Sequence, residues 1–350
     1  MSLKSPAGPK PTLATIARQA GVSAPTVSKV VNGREDVAPE TRARILTALE
    51  QAGYQSPMQR RSVTRTSTVI EVVVDVLTSA YTTEVLDGIL QFAASEDVEV
   101  LVSVTAPSTP TVQTAERRAQ RMVDEGRAGM IVVTSAFSEA QMHAFRRRRI
   151  PVVVIDPLNP PPADVVSVGA TNWAGGKAAT EHLLELGHRC IAYIGGIERA
   201  ECNQARLHGY MAALAAHGLS VDPQYIISGG RFRRDSGVSG MKALLKLEKR
   251  PTAIFAGSDS IALGVLSEAA HCGLKVPGDI SLVGFDGTIQ GEESVPALTS
   301  VAQPLEEMGR AALRSLLRQA RGEVLDSHRV ELATHVIVRE STAAPAGFQA

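Results

Sequence analysis

The spacing of hydrophobic residues divides the chain into two parts. Between Leu13 and Leu49, apolar residues recur at helical intervals, which predicts short amphipathic helices. From Val69 onward, short apolar runs rich in β-branched residues alternate with amphipathic helical stretches. We therefore expect a small helical domain followed by a larger α/β region.

Three helices are predicted in the first part. Thr12 is a suitable N-cap for the first helix, and Gly21 ends it. Ser23 can cap a second helix over residues 24–32, and Pro39 opens a third. Two short helices joined by a tight glycine turn are typical of a helix-turn-helix, although a small helical bundle with a basic surface would show the same pattern.

The second helix has side chains suited to a DNA major groove. Lys29 can donate hydrogen bonds to a guanine edge, and Ala24 can contact a thymine methyl group. Hydroxyl groups and the helix N-terminus suit phosphates. The outward-facing positions are Ala24, Pro25, Thr26, Ser28, Lys29 and Asn32.

The second part predicts two lobes. Its apolar runs are continuous rather than alternating, which indicates parallel sheets covered by helices on both faces. About 270 residues are more than one such sheet usually needs, so we infer two doubly wound lobes. The predicted strands cover residues 69–76, 98–105, 129–135, 150–156, 190–196, 252–258 and 280–286.

Charge is unevenly distributed although the chain is neutral. Lys and Arg together number 36, as do Asp and Glu. The first 65 residues nevertheless hold ten basic and four acidic side chains, a net charge of +6. A basic head indicates a polyanionic partner. With 44% hydrophobic and 21% charged residues, the composition is that of a globular protein.

The sequence has no targeting or cofactor signal that we recognise. No apolar run reaches the roughly 18 residues of a membrane span, and the N-terminus lacks a signal-peptide stretch, so we expect no membrane partner and a cytoplasmic location. The scattered Cys190, Cys202 and Cys272 are expected to stay reduced. Phosphate-loop, serine-hydrolase and zinc-protease motifs are missing, so we predict no cofactor, no metal and no enzymatic activity.

Polar residues at the predicted strand ends mark a candidate ligand pocket, because doubly wound sheets bind ligands beyond the carboxyl ends of their strands. Carboxylates and a guanidinium can each hold neighbouring hydroxyls, and an aromatic face can cover a sugar ring. A single strand-end Asp could instead cap a helix, and the Trp could instead belong to the core. The candidates are Asp75, Ser135, Asp156, Ser258 and Asp286, with Trp173 and Arg206 in the flanking helices.

The first part resembles the DNA-binding head of the lactose-repressor (LacI) family. The likeness runs without a gap over residues 12–54, and its core is Ala17-x-x-AGVS-x-x-TVS-x-VVNG. The resemblance implies that Ala24, Pro25 and Lys29 read bases. It also implies contacts to the DNA backbone by Thr12, Ser23, Thr26, Ser28 and Asn32.

A hinge helix follows the head in this family and inserts a leucine into the minor groove. The matching segment is residues 56–68, and the wedge position falls on Val63, one methylene shorter than leucine. Arg60, Arg61 and Arg65 supply charge for phosphates or for a narrow minor groove. A flexible basic linker is the alternative interpretation of this segment.

The second part resembles the effector-binding domain of the same family, which is akin to periplasmic sugar-binding proteins. The likeness is carried by segments such as TAIFAGSDSIALGVL and KVPGDISLVGFDG. By position, Arg206 matches the arginine that grips the effector, Asp286 the effector-binding aspartate, and Asp156 a third polar contact. Ser258 stands where the family often has asparagine. Trp173 is carried over less directly, as a residue that could reach the ligand.

The expected fold is therefore α/β, with a three-helix head joined to two doubly wound parallel-sheet lobes. Lobe 1 is expected over about 69–168 with a later return segment, and lobe 2 over about 169–286 with C-terminal strands. The predicted divisions are a disordered tail 1–10, a helix-turn-helix domain 11–55, a hinge or linker 56–68, an effector-binding domain 69–340 and a tail 341–350.

The resemblance implies a transcription regulator, most often a repressor, that binds pseudo-palindromic double-stranded DNA as a homodimer and responds to a small molecule. A neutral sugar is the favoured effector because the predicted pocket holds more Asp than Arg, and purines or aromatic acids are alternatives. A solute-binding protein of an uptake system is the alternative function. The expected effector contacts are Asp75, Asp156, Trp173, Arg206, Ser258 and Asp286.

Overall fold

A computed structural model describes residues 12–31, 37–52, 68–105, 111–136 and 138–345. The chain divides into two compact units, which separate after Ser67. The predicted N-terminal tail and nearly all of the predicted hinge lie outside the described residues. Five residues predicted to contact DNA also lie outside them: Asn32, Arg60, Arg61, Val63 and Arg65.

Helices α1 (Leu13–Ala20), α2 (Ala24–Val31) and α3 (Pro39–Gln51) form the N-terminal unit. The backbone N–H of Thr15 donates to Thr12 Oγ1 at 3.3 Å, which caps α1. Gly21 ends α1 in the left-handed conformation, with a φ of 65°. Apolar residues at helical spacing, including Ile16 and Ile45, are buried between the helices. The three predicted helices are confirmed.

Strands and helices alternate along the C-terminal unit. Its strands are β1 (Thr68–Val74), β2 (Val98–Val104), β3 (Gly129–Val133), β4 (Val152–Ile155), β5 (Val166–Ala170), β6 (Ile191–Ile194), β7 (Ile226–Ile227), β8 (Ala253–Ala256), β9 (Ser281–Asp286), β10 (Thr299–Ala302), β11 (Arg329–Leu332) and β12 (His335–Ile337). Its helices are α4 (Ala80–Ser95), α5 (Val112–Asp124), α6 (Glu139–Arg146), α7 (Asn172–Glu185), α8 (Glu201–Ala216), α9 (Arg234–Leu244), α10 (Asp259–His271), α11 (Ile289–Glu292) and α12 (Leu305–Ala320).

The strands form two six-stranded sheets, one in each lobe. Lobe 1 has the order β11-β5-β4-β3-β1-β2, and all of its neighbouring strands are parallel. Lobe 2 has the order β12-β10-β9-β8-β6-β7, in which β12 is antiparallel to β10 and the other pairs are parallel. Separate apolar clusters cover the two faces of each sheet. The predicted doubly wound architecture is confirmed.

The chain crosses between the lobes after β5, after β10 and after β11. As a result, α12 packs against α4 on lobe 1, although it follows a strand of lobe 2. A Cβ at Gly88 in α4 would lie 2.0 Å from the backbone oxygen of Glu306 in α12, so this close approach requires glycine. Helix α12 and β11 are the return segment of lobe 1.

Several strands were not predicted from the sequence. Strands β5, β7, β10, β11 and β12 have two to five residues each. Polar residues interrupt several of these runs, as in TSVA of β10 and RVEL of β11, so no continuous apolar pattern stands out. They form because a neighbouring strand supplies hydrogen-bond partners for their backbone groups.

The C-terminal segment stays bound to lobe 2 beyond residue 340. Ser341 is fully buried, and its Oγ accepts a hydrogen bond from the Thr299 N–H at 2.8 Å. Nε2 of the buried His188 lies 2.9 Å from the Ala343 backbone oxygen. The tail predicted over 341–350 therefore begins too early. Polar contacts rather than an apolar run attach these residues, so the hydrophobic pattern did not indicate them.

Candidate functional site

Helix α2 turns its polar face away from the small core of the N-terminal unit. Val27 and Val30 are buried, whereas Pro25 and Lys29 are exposed and Ala24 is partly exposed. This division follows from helix geometry, because residues three apart lie on one face. The three residues predicted to read bases thus lie on the accessible side of α2.

Three of the four hydroxyl groups predicted to contact the DNA backbone, those of Thr12, Ser23 and Thr26, lie at the starts of α1 and α2. Ser28 lies further along α2 and is partly exposed. The oxygens Ser23 Oγ and Thr26 Oγ1 are 2.8 Å apart, and the Thr26 N–H donates to Ser23 Oγ at 3.4 Å. Thr12 and Thr15 make the corresponding contacts at α1. Both helix N-termini therefore carry exposed hydroxyls next to backbone N–H groups, an arrangement that suits phosphate.

A cleft of about 960 Å³ lies between the two lobes of the C-terminal unit. Lobe 1 contributes Asp75, which follows β1, and Asp156, which follows β4. Lobe 2 contributes Arg206 from α8, Ser258 before α10 and Asp286 at the end of β9. The structure therefore brings five of the six predicted effector contacts to one cavity, at the carboxyl ends of the strands.

Close packing of α7 and α8 sets the position of Arg206. A Cβ on Gly176 of α7 would lie 2.3 Å from the Arg206 backbone oxygen. The Arg206 side chain is buried, with Nε donating to Asn172 Oδ1 at 2.8 Å and Nη1 donating to the Gly257 oxygen at 2.6 Å. Its guanidinium carbon lies 3.8 Å from the centre of the Phe285 ring. Fixed partners thus hold the guanidinium at the cleft.

Asp156, Arg206 and Asp286 form what we call the buried triad, with residue exposures of 5%, 3% and 5%. Arg206 Nη1 lies 3.7 Å from Asp286 Oδ1. The Tyr81 hydroxyl donates to Asp156 Oδ2 at 2.8 Å, and Gln303 Nε2 donates to Asp286 Oδ1 at 2.8 Å. Within the described part of the chain, Asp286 Oδ2 receives no hydrogen bond, so it can accept one from a ligand hydroxyl.

Burial raises the pKa of both carboxyls in the buried triad. For Asp156, the positive charge of Arg206 and the hydrogen bond from Tyr81 oppose the rise. For Asp286, the pKa lies well above its usual value because Arg206 only partly offsets burial and the negative charge of Asp259 adds to it. Perturbed carboxyls around one guanidinium in a cleft are typical of a functional site.

The backbone is strained at the strand ends that line the cleft. Asp156 has a φ of 41°, Asp286 of 113°, and Thr134, which precedes the predicted Ser135, of 45°. A positive φ is uncommon for residues other than glycine, and such strain clusters at ligand sites. These conformations orient the two carboxylates at the point where the strands end.

Ser258 has a structural role as well as a place in the cleft lining. Its Oγ accepts a hydrogen bond from the Ile261 N–H at 3.2 Å and so caps α10. The neighbouring Asp259 accepts bonds from Ser300 Oγ at 2.6 Å and from the Thr288 N–H at 2.7 Å, and burial raises its pKa to about 6. Hydrogen bonds of Asp259 therefore link α10 to β10 and to the segment after β9.

The cleft also contains residues that the sequence did not indicate. Tyr81 and Phe232 supply aromatic rings, and Arg231 and Arg233 supply charge. These two arginines follow β7, a strand of only two residues, which is why the strand-end rule did not reach them. The basic run after Gly229 and Gly230 was the available signal.

Asp75, Arg231 and Arg233 form what we call the exposed triad, since all three line the cleft and are exposed. Asp75 belongs to lobe 1 and the arginines to lobe 2. Desolvation at the cleft raises the pKa of Asp75. Backbone hydrogen bonds and, to a smaller extent, the positive charges of Arg233 and Arg231 oppose that rise. Besides the buried triad, the cleft therefore holds one acidic side chain of lobe 1 and two basic side chains of lobe 2.

Trp173 is the one predicted effector contact that does not line the cleft. The side chain is 48% exposed and lies at an adjoining depression of about 300 Å³, which shares Asp156 and Cys202 with the cleft. The adjacent Asn172 faces Arg206. Consecutive helical residues point about 100° apart, so the first turn of α7 directs Trp173 elsewhere.

The described residues contain no group of three or more side chains that could hold a metal ion. Within the same residues, no helix has the length and apolar character needed to cross a membrane. Neither observation indicates a further functional site, in the described residues, besides the cleft and the polar face of α2.

Comparison with known proteins identifies both units. Residues 12–56 match the family of bacterial regulatory proteins described as the lacI family, and residues 180–342 match a periplasmic binding protein-like domain. Catabolite control protein A of Priestia megaterium is 31% identical over 95% of this chain and 99% of its own length. The HTH-type transcriptional repressor CytR of Escherichia coli (strain K12) is 34% identical over 95% of this chain and 96% of its own length.

Solved structures agree with this assignment. The complex of the transcriptional regulator CelR with cellobiose has a TM-score of 0.71 and 31% identity, and the match covers 95% of this chain and 99% of that chain. A lac repressor dimer bound to operator, at 24% identity and a TM-score of 0.70, shares the fold over 96% of this chain and 100% of its own. The relatives are DNA-binding transcriptional regulators and not uptake proteins. The chain belongs to the lacI family of bacterial regulatory proteins.

Proposed function

We propose that this protein is a repressor that binds a pseudo-palindromic DNA site as a homodimer and that a sugar bound between its lobes sets its affinity for DNA. It acts in the cytoplasm and performs no chemistry on its ligand. The observation that carries the proposal is the buried triad, which combines a carboxylate of lobe 1 with a guanidinium and a carboxylate of lobe 2 in one cleft.

A sugar suits this cleft because its hydroxyls are both donors and acceptors. Asp286 Oδ2 offers an acceptor, and Phe232 offers an aromatic face in the same cavity. The similar CelR structure is a complex with cellobiose, which supports a carbohydrate ligand here. A volume of about 960 Å³ lies within the usual range for small-molecule sites.

The ligand can control DNA binding because both lobes contribute to its site. The Ile289 N–H in lobe 2 donates to Glu84 Oε1 in lobe 1 at 3.1 Å, so the lobes already share one direct hydrogen bond. A ligand that binds one lobe arrangement more tightly shifts the equilibrium toward it. A coupling of roughly 1–3 kcal/mol corresponds to about 5- to 150-fold in DNA affinity.

The proposed homodimer rests on an apolar surface at the edge of lobe 1. The edge strand β2 exposes Leu101 and Val102, and the adjacent α4 exposes Leu90. An exposed apolar edge strand invites pairing with another chain. A second copy of this chain would cover it and would also supply the second head that a pseudo-palindromic site requires.

The test is site selection from random duplex DNA followed by gel-shift titration of wild type and Lys29→Ala. Lys29 is the exposed cation on the accessible face of α2, so its removal should cost about 1–3 kcal/mol on the selected site and relax the preference at one base pair. Arg18→Ala is the matched control, because Arg18 is an exposed cation on α1. It should weaken binding evenly across sequences.

Two results would contradict the proposal. The first is a wild-type protein without a selected site, or with binding that does not weaken as salt rises. The second is an unchanged sequence preference in Lys29→Ala. Adding sugars, purines and aromatic acids to the selected complex then tests effector control, since a true effector changes the fraction of DNA bound. An uptake protein would bind sugar and leave the DNA unshifted.

A further inference from the structure

The two triads of the cleft have opposite charge excesses. In the buried triad, two carboxyls share one guanidinium. In the exposed triad, two guanidiniums and one carboxylate line the cleft. The expectation of a neutral ligand rested on more Asp than Arg in the pocket, and with Arg231 and Arg233 the two counts are equal. The charge pattern therefore points to a ligand with two chemically different ends.

Arg206 is already occupied by protein groups. Its Nη1 donates to the Gly257 oxygen, its Nε donates to Asn172, and the carboxylate of Asp286 balances its charge. A ligand anion placed there would also meet the buried carboxyl of Asp156. The buried triad is thus suited to hydroxyl groups and unsuited to a further negative charge.

Arg231 and Arg233 are in the opposite situation. Within the described residues, neither guanidinium donates a hydrogen bond. Their positive charges lower the pKa of Asp75. Between them in the chain stands Phe232, whose ring centre is 5.8 Å from the Arg206 guanidinium carbon. The segment that carries the two arginines therefore reaches the edge of the buried triad.

We propose that the effector is a polyhydroxylated molecule with one anionic group, a carboxylate or a phosphate, and that Arg231 and Arg233 bind this group. The hydroxyls bind at the buried triad. The inference rests on the proposed function, because it names the ligand class of the same cleft. Guanidinium forks pair with carboxylate and phosphate through two parallel hydrogen bonds, so two arginines that line the same cleft supply a site for such an anion.

The test compares ligands that share a carbon skeleton and differ in charge. Thermal shift and titration calorimetry are run with glucose, glucuronate, gluconate and glucose 6-phosphate, and with the corresponding galactose and ribose sets. The proteins are wild type, the double variant Arg231→Gln/Arg233→Gln, and Arg234→Gln. Arg234 is the matched control, because it is exposed and next in the chain but does not line the cleft.

We expect at least one anionic ligand to bind wild type and Arg234→Gln ten or more times as tightly as its neutral parent. The double variant should lose most of this preference, measured in each protein as the ratio of the affinity for the anionic ligand to that for its neutral parent. A preference for the acids identifies a carboxylate site, and a preference for the phosphates identifies a phosphate site.

The proposal is overturned if the neutral parents bind as tightly as their anionic counterparts, if the double variant keeps the preference, or if no anionic ligand stabilises wild type. A neutral sugar that binds and changes the gel shift would refute the anionic class and leave the repressor assignment intact. A protein that shows the anionic preference but never binds DNA would support this inference and refute the proposed repressor.

Discussion

The buried triad and the exposed triad line one cleft but are held in different ways. Fixed hydrogen bonds support the buried triad, for example from Tyr81 to Asp156 and from Arg206 to Gly257. The side chains of the exposed triad are exposed to solvent, and the positive charges of its two arginines act on Asp75. We therefore expect the first group to serve both folding and ligand binding, and the second group to tolerate substitution without loss of the fold.

The physical reason is the environment of each charge. Removing one partner from a buried ion pair leaves an uncompensated charge in a medium that solvates it poorly, at a cost of about 3–5 kcal/mol. Water screens exposed charges, so an exposed pair contributes about 0–1 kcal/mol. Substitutions in the two triads therefore separate stability from selectivity.

The largest expected effect is that of Arg206→Ala. It removes the cation between Asp156 and Asp286 and leaves the Gly257 oxygen without its donor, so we expect the free energy of unfolding to fall by about 3–5 kcal/mol. Effector response should be lost as well. Urea denaturation measures the first effect, and Arg233→Ala is the control, with an expected change of about 0.5 kcal/mol or less. Equal losses of stability in Arg206→Ala and Arg233→Ala would contradict the proposed difference between the two triads.

A smaller effect, on the affinity for the effector, is expected when the Phe232 or the Trp173 ring is removed. Phe232→Ala takes a ring from the cleft between the two triads, and affinity for the effector should fall by about 1 kcal/mol, or about fivefold. Trp173→Ala should leave affinity unchanged, because Trp173 lies outside the cleft. Titration calorimetry with the ligand found by screening measures the affinity of both variants. A loss with Trp173→Ala alone would restore the sequence-based expectation.

The smallest expected effect concerns the hydrogen bond between the lobes. Glu84→Ala removes the acceptor for the Ile289 N–H. Because this hydrogen bond is exposed, its loss should weaken the lobe arrangement, and with it effector affinity, by about 0.5 kcal/mol. Glu84→Gln retains an acceptor oxygen and should restore most of the affinity. If the alanine and glutamine variants behave alike, the hydrogen bond does not couple the lobes.

The head was predictable from the sequence because its structure depends on neighbours along the chain. Thr12 and Gly21 act on the helix turn beside them, and the buried Val27 and Val30 are three residues apart. The strand-end aspartates were also predictable, because a parallel sheet places the ends of its strands at one edge. The proposed wedge at Val63 remains a prediction, as that residue lies outside the described part of the chain.

The sequence by itself determined the helix-turn-helix, the two doubly wound lobes and the carboxylates that line the cleft. Only the tertiary structure decided that Arg231 and Arg233 enter that cleft and that Trp173 stays outside it. It also decided which lobe receives α12 and β11 after the chain has crossed. The reason is the distance along the chain over which each cause acts. Capping and periodicity act within a few residues, whereas the lining of a cleft depends on packing between segments far apart in the chain.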